Sequence, residues 1–462
     1  MPIHVIILAA GEGKRMKSGL PKVAHTAAGR ALVSHVIETA QSLDPASITV
    51  VVGHGVDQVR TLLPEDVSDV LQAEQLGTGH ATQIGLDHLG AVDHDDIVLI
   101  LYGDTPLVTT GLLGELTALA PGETARLVSS RPVDPTGYGR VIRDEAGNVA
   151  AIVEHRDCTP EQLLIEETNA GIYAVRAGAL VESLKAVTNE NAQGEYYLTD
   201  VVGILVAQGD KLTAVEASPQ EVMGINSHDQ LAEARRELHR RINQRLMESG
   251  VMIFDPERTY IDETVTVAPG AQIYPGTHLE GTTVIGEGSR VGPDVFAVDA
   301  QIGSECTVWY AVVRGAVIGD GCEVGPYASL RPGTVLKDGA KIGTFVEAKN
   351  TVMGEGAKAN HLTYLGDAKI GARTNIGAGV VTVNYDGVEK STTEIGEDAF
   401  IGSDTMLVAP VTIGDRASTG AGSVITRDVS DDALAIERSD QREIPGYSQR
   451  REARKAAKKA KD

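Results

Sequence analysis

A glycine-rich string near the start of the chain gathers the first groups suited to handling phosphate. It reads Leu8-Ala9-Ala10-Gly11-Glu12-Gly13-Lys14-Arg15-Met16, with Pro21-Lys22 shortly after. Glycines let backbone N–H groups approach phosphate oxygens, and Arg15 and Lys22 add positive charge. The string is no Walker A loop, because no Gly-Lys-Ser/Thr follows at the required spacing. It is no dinucleotide fingerprint either, since Met16 stands where a third glycine belongs. Tyr102-Gly103-Asp104 follows an apolar run, at the kind of strand end where open α/β sheets collect ligands. A second concentration lies far downstream, in Lys349, His361-Leu362-Thr363-Tyr364-Leu365-Gly366-Asp367 and Asn384-Tyr385-Asp386-Gly387. Imidazole titrates near neutral pH, so His361 is suited to take a proton from an attacking amine. Only His278 and His361 lie beyond residue 250, which excludes a zinc site built from three imidazoles there.

The elements that must hold these groups are of two kinds. From about Ile261 to Ile425 an aliphatic residue recurs every sixth position. The runs are Ile261, Val267, Ile273, Leu279, Ile285, Val291, then Ile318, Val324, Leu330, Leu336, Ile342, then Ile395, Ile401, Leu407, Ile413. That period fits neither an amphipathic helix nor an alternating strand, and predicts a hexapeptide-repeat parallel β-helix. Its phase slips between Val291 and Ile302, Ile342 and Ile370, and Ile376 and Ile395. Insertions leave a solenoid as loops, so Lys349 and the His361 segment are expected on one loop and Asn384–Gly387 on another. Upstream, Val5–Leu8, Ile48–Val52, Ile97–Leu101 and Leu127–Ser130 are apolar runs without polar alternation. They predict parallel strands covered on both faces, in an α/β nucleotide-binding domain. Leu231, Ala234, Leu238, Ile242 and Leu246 keep helical spacing amid charges and predict a connecting helix. The expected organisation is residues 1–226, a helix over 227–250, the β-helix over 251–436, and a tail over 437–462.

Composition narrows the partners. The formal charge of −23 over 462 residues argues against nucleic acid. Cys158, Cys306 and Cys322 show no paired spacing, so neither a disulfide framework nor a zinc site is implied. No stretch reads as a signal peptide or a membrane span, and a cytoplasmic location is expected. Arg450, Arg451, Arg454, Lys455, Lys458, Lys459 and Lys461 reverse the charge at the end of the chain, predicting a solvated, disordered tail.

The complete Leu-Ala-Ala-Gly-x-Gly-x-Arg-Met…Pro-Lys string resembles the signature of sugar-phosphate nucleotidylyltransferases. Gln72-Ala73-Glu74-Gln75-Leu76-Gly77-Thr78-Gly79-His80 resembles their base-reading loop, in which Gln72, Gly77 and Thr78 would face uracil. The resemblance makes Leu8, Ala9, Ala10, Gly11, Arg15, Lys22, Tyr102 and Gly103 nucleotide contacts. It makes Asp104 and Asn226 Mg²⁺ ligands, and Gly139, Glu154 and Asn169 sugar contacts. With Arg331-Pro332-Gly333, Val346-Glu347-Ala348-Lys349, Asn375-Ile376-Gly377-Ala378-Gly379 and Gly402-Ser403-Asp404 added, nearly the whole chain resembles one family. That family is the bifunctional N-acetylglucosamine-1-phosphate uridylyltransferase and glucosamine-1-phosphate N-acetyltransferase. The resemblance implies a Rossmann-like nucleotidyltransferase domain, a connecting helix and a left-handed parallel β-helix. It implies UTP, glucosamine 1-phosphate, N-acetylglucosamine 1-phosphate and acetyl-CoA as substrates, and a homotrimer. His361 would be the base, Arg331 and Lys349 the phosphate holders, and Tyr364 and Asn375 the amino-sugar contacts. Ala378, Asn384, Tyr385, Ser403, Ala421 and Arg438 would line the acetyl-CoA side. A single-activity sugar-1-phosphate nucleotidylyltransferase with a structural β-helix is the alternative, and it would not need the Lys349, His361 and Asn384-Tyr385 loops.

Overall fold

The computed structural model describes residues 1–460 and divides into two compact units. One comprises 1–244 with 261–263, and the other comprises 245–260 with 264 onward. In the first unit the apolar runs become the centre of a twisted sheet. Its order is Leu212–Glu216, Ala125–Ser130, Thr168–Arg176, Ile97–Tyr102, Ile3–Ala9, Ser47–Val52, Ser68–Leu71. Val5, Ile6, Ile7, Val50, Val51, Leu99, Ile100 and Leu101 have no exposed surface, which explains why these strands carry no polar alternation. The sheet is not purely parallel as expected. Thr168–Arg176 runs antiparallel to both Ile97–Tyr102 and Ala125–Ser130, and a small hairpin, Arg140–Arg143 with Val149–Val153, branches from it.

The helix His228–Glu248 buries Leu231, Ala234, Leu238, Ile242 and Leu246 at 3.6-residue spacing. In the second unit the chain coils through three parallel sheets of 11, 10 and 9 strands. Inward side chains stack rung on rung: Ile273 on Val291, Val291 on Val308, Val308 on Val324, Val324 on Ile342.

Two of the three phase slips are not insertions. Across the first, Ala297 keeps the inward place between Val291 and Ile302. Across the second, Ala348, Met353, Ala359 and Leu365 keep it between Ile342 and Ile370, all with no exposed surface. Some steps are five residues rather than six, and alanine or methionine fills the slot, so the period is masked while the stack continues. Lys349 and His361 therefore sit on strands, Glu347–Lys349 and Lys358–His361, and not on a loop. Only the third slip is an excursion, between Val381–Val383 and Thr393–Ile395.

The corners are closed by aspartates. Asp320 Oδ1 accepts from the Ser304 N–H at 2.7 Å, Asp338 Oδ1 from Asp320 at 3.0 Å, and Asp415 Oδ1 from Glu397 at 2.8 Å. Asp431 Oδ1 accepts from Asp415 at 2.9 Å. Each serves the rung before its own. The basic tail is solvated as expected but is not disordered. Tyr447–Lys459 is a helix with every residue exposed, favoured by its Ala, Arg and Lys content, while Lys461 and Asp462 lie outside the described residues.

Candidate active sites

Ile3–Ala9 delivers the glycine string to the end of the sheet, where the chain makes a short turn over Lys14–Met16. Gly13 takes φ +67, and a Cβ there would lie 2.6 Å from Lys22 Cβ, so only glycine lets the loop close over Lys22. Lys22 Nζ then donates to Asp104 Oδ2 at 2.5 Å and to Asn226 Oδ1 at 3.1 Å. The Ile225 N–H bonds the Asp104 carbonyl at 2.9 Å, which brings the two oxygen-bearing side chains to one point. Asp104 and Asn226 present hard oxygen donors there, with a lysine ammonium standing where a cation would sit; this donor set fits Mg²⁺.

A cavity of about 270 Å³ opens beside this point. Leu8, Ala10, Gly11, Lys22, Gln72, Gly77, Thr78, Tyr102 and Asp104, all singled out in the sequence, line it. Val23, Gln75, Ala81 and Glu195 line it without having been singled out. Gln72 is buried, and its Nε2 donates to the Gly77 carbonyl at 3.2 Å. That leaves its oxygen free to read a base donor. Gly77 takes φ +113, and a Cβ there would lie 2.5 Å from the Tyr196 carbonyl. Gln75 Nε2 fastens the wall by donating to the Ala10 carbonyl at 2.6 Å. Ala9 and Gly103 lie behind this wall, where the Gly103 N–H bonds the Leu8 carbonyl at 3.0 Å. Arg15 does not line the cavity; it is exposed on the loop.

Gly139, Glu154 and Asn169 form a neighbouring cluster outside that cavity. The Asn169 N–H bonds the Gly139 carbonyl at 2.9 Å, and a Cβ on Gly139 would lie 3.6 Å from the Glu154 carboxyl. Burial pushes the Glu154 carboxyl up, against the hydrogen bond it accepts from Thr199 at 3.2 Å. Burial also pushes the phenol of Tyr102, which lines the cavity, up, with the Glu154 charge acting the same way.

In the β-helix, register builds a second constellation. Leu330 pairs with Ala348 and Lys349 with Gly366, so Arg331, Lys349 and Gly366 fall in one column on successive rungs. Arg331 Nη1 donates to Glu347 at 2.9 Å. Gly366 leaves a notch: a Cβ there would lie 2.5 Å from the Tyr364 hydroxyl and 2.8 Å from Asn384 Nδ2. Asp367 accepts from Asn350 at 2.6 Å and from Asn384. Its burial works to raise its carboxyl, and these amides outweigh it, holding the group below the usual range.

Lys390, unremarked in the sequence, comes from the excursion, where it bridges to Tyr385. The close approach and the charge of the Lys390 side chain push the Lys349 ammonium down. Two adjacent ammonium groups facing Arg331 make a seat for a dianion. His361 is exposed and pairs with Thr344, and Asn375 pairs with Lys358 on the next rung. Ala378, Ser403 and Ala421 follow one another along a corner through the Asp404–Ala378 and Gly422–Ser403 backbone bonds. Arg438 closes the line by donating to the Ala421 carbonyl at 2.9 Å.

The fold and both constellations define a chain that carries two transferase modules. Residues 5–187 match the family model of MobA-like NTP transferase domains. Residues 392–427 match that of bacterial transferase hexapeptides, which places the coil among left-handed parallel β-helices. The chain is 48% identical to the bifunctional protein GlmU of Streptomyces avermitilis, over 99% of this chain and 96% of that one. It is 48% identical to the GlmU of Stutzerimonas stutzeri, over 97% and 99%. To that of Marinobacter nauticus it is 46% identical, over 98% and 100%. The chain belongs to the GlmU family of bifunctional proteins.

Proposed function

We propose that this chain acetylates glucosamine 1-phosphate with acetyl-CoA, then joins the product to UTP, giving UDP-N-acetylglucosamine and pyrophosphate. The observation that carries the reading is a phosphate seat supplied with cationic side chains in each unit: Lys22, beside the oxygen donors Asp104 and Asn226, in one, and Arg331 with Lys349 and Lys390 in the other.

In the first transfer the amine nitrogen attacks the acetyl carbonyl carbon and the C–S bond breaks. His361 takes the amine proton and returns it to the departing thiolate. Arg331 and Lys349 hold the phosphate, while Tyr364 and Asn375 orient the amino sugar. Asn384, Tyr385, Ala378, Ser403, Ala421 and Arg438 form the acetyl-CoA side.

In the second, an oxygen of the sugar phosphate attacks the α-phosphorus in line and pyrophosphate leaves. The nucleophile is already ionised, so positioning and charge neutralisation suffice. Gln72, Gly77 and Thr78 seat the uracil, the Leu8–Gly11 backbone with Arg15 and Lys22 the phosphates, and Gly139, Glu154 and Asn169 the sugar. Asp104 and Asn226 would hold Mg²⁺, which neutralises phosphate charge when bound.

We further infer a cytoplasmic homotrimer. A ridge of bulky side chains runs up one corner of the coil: Tyr310, Tyr327, Phe345 and Leu362, 38–64% exposed. All four take left-handed φ values of 45–57°. That conformation costs roughly 1 kcal/mol each for such residues. Leu362 directly follows His361, so a partner covering the ridge would also wall the open acetyl site. No helix among the described residues is long and apolar enough to cross a membrane.

The test is one incubation with acetyl-CoA, glucosamine 1-phosphate and either UTP or dTTP, following thiol and pyrophosphate separately. Thiol release followed by UTP-dependent pyrophosphate is the expected result. Pyrophosphate obtained only from pre-acetylated sugar, with acetyl-CoA never consumed, rejects the double activity.

A further inference from the structure

The carbonyl that closes the phosphate loop is held by a side chain 212 residues away. His228 Nε2 lies 3.0 Å from the Met16 carbonyl oxygen, which can only accept, so Nε2 carries the hydrogen. The edge of the His228 ring meets His25 with centroids 5.7 Å apart, and His25 lies just beyond Lys22. Further along the same helix, Arg235 donates twice to the Thr26 carbonyl, at 3.0 and 2.8 Å. On the other side, Gln230 Oε1 accepts the Asn226 N–H at 2.7 Å. The first turns of His228–Glu248 thus grip the oxygen-bearing Asn226 segment and the loop that brings Lys22 to it.

We propose that His228 is a positioning residue for nucleoside triphosphate binding. Its bond to Met16 sets the distance between the glycine loop and the Asp104–Asn226 pair. Without that bond the loop loses its tie to the Asn226 segment, and the triphosphate must order it on binding. The cost falls on the nucleotide and spares the sugar phosphate, whose Gly139–Glu154–Asn169 cluster the helix start does not bond. This role deepens the proposed uridylyl transfer and rests on it.

The experiment measures pyrophosphate release by the full chain against UTP and, separately, against N-acetylglucosamine 1-phosphate. His228→Phe keeps a ring against His25 but has no donor, whereas His228→Gln keeps a donor. His228→Phe is expected to raise KM for UTP about tenfold with a smaller change in kcat and no change in KM for the sugar phosphate. His228→Gln should stay within about threefold of the unmutated chain, and both should release CoA at the normal rate. Arg235→Met, which removes the second tie, should shift KM for UTP in the same direction. An unchanged KM for UTP in both His228→Phe and Arg235→Met overturns the proposal. So does a loss in which both KM values and the melting temperature move together and His228→Gln fails to restore them. If the unmutated chain releases no pyrophosphate from UTP, the function itself falls and the role with it, and the control tells that case apart.

Discussion

Lys22 bonds both Asp104 and Asn226, so the first site already has its charge balanced and its oxygens aimed. Asp104→Ala removes one of the two oxygen donors and leaves the ammonium without its counter-charge. Pyrophosphate release should fall by on the order of a thousandfold, while thiol release from acetyl-CoA stays normal. In the second unit, His361→Ala should lower thiol release by about a hundredfold or more and leave pyrophosphate release intact. Equal loss of both activities in either variant would sink the separation of sites. Gly366→Ala puts a methyl group 2.5 Å from the Tyr364 hydroxyl, and should impair thiol release without touching pyrophosphate release. The residues of the first site were legible because one strand end presents them consecutively and their types suit phosphate. Lys390 and Glu195 were not, since tertiary folding brings them in from segments with no pattern of their own. Arg15 was legible as a charge, but the sequence carried no sign that it lies outside the cavity.

The helix His228–Glu248 was readable as a helix because burial on one face imposes a 3.6-residue spacing on Leu231, Ala234, Leu238, Ile242 and Leu246. Its polar face was not readable as part of a site, because hydrogen bonds to distant carbonyls leave no periodic trace. On that face Glu237 bonds Arg240 and Arg241, each at 2.8 Å. Those bonds outweigh burial and hold its carboxyl at about 2, below the usual 4.5. A depressed carboxyl contributes stability that is complete above the unfolded value and lost as pH falls through the folded one. Glu237→Gln should therefore lower the melting temperature by a constant amount from neutral pH down to 4.5, and the difference should shrink between 4.5 and about 2. A difference that persists unchanged at the acid end would show that lost packing, not charge, causes the effect. The β-helix was legible where Ile, Val and Leu mark each rung. It was illegible across five-residue steps, because alanine carries no hydrophobic signal of its own, and those rungs hold Lys349 and His361. The basic end of the chain lacked any apolar face, so its helix left only a compositional trace.

At the scale of the molecule, the charge of −23 coexists with cations concentrated where phosphate must bind. Part of the acid surplus is structural, in the aspartates that accept corner N–H groups. The aromatic ridge bears on assembly. Phe345→Asp combined with Tyr327→Asp should shift the chain to a monomer in light scattering and reduce thiol release while sparing pyrophosphate release. A monomeric unmutated chain that releases thiol normally would exclude the homotrimer. The corner aspartates also give the coil a direction. At these corners a turn is completed by an oxygen from the turn after it, so none of them can close before its successor has folded.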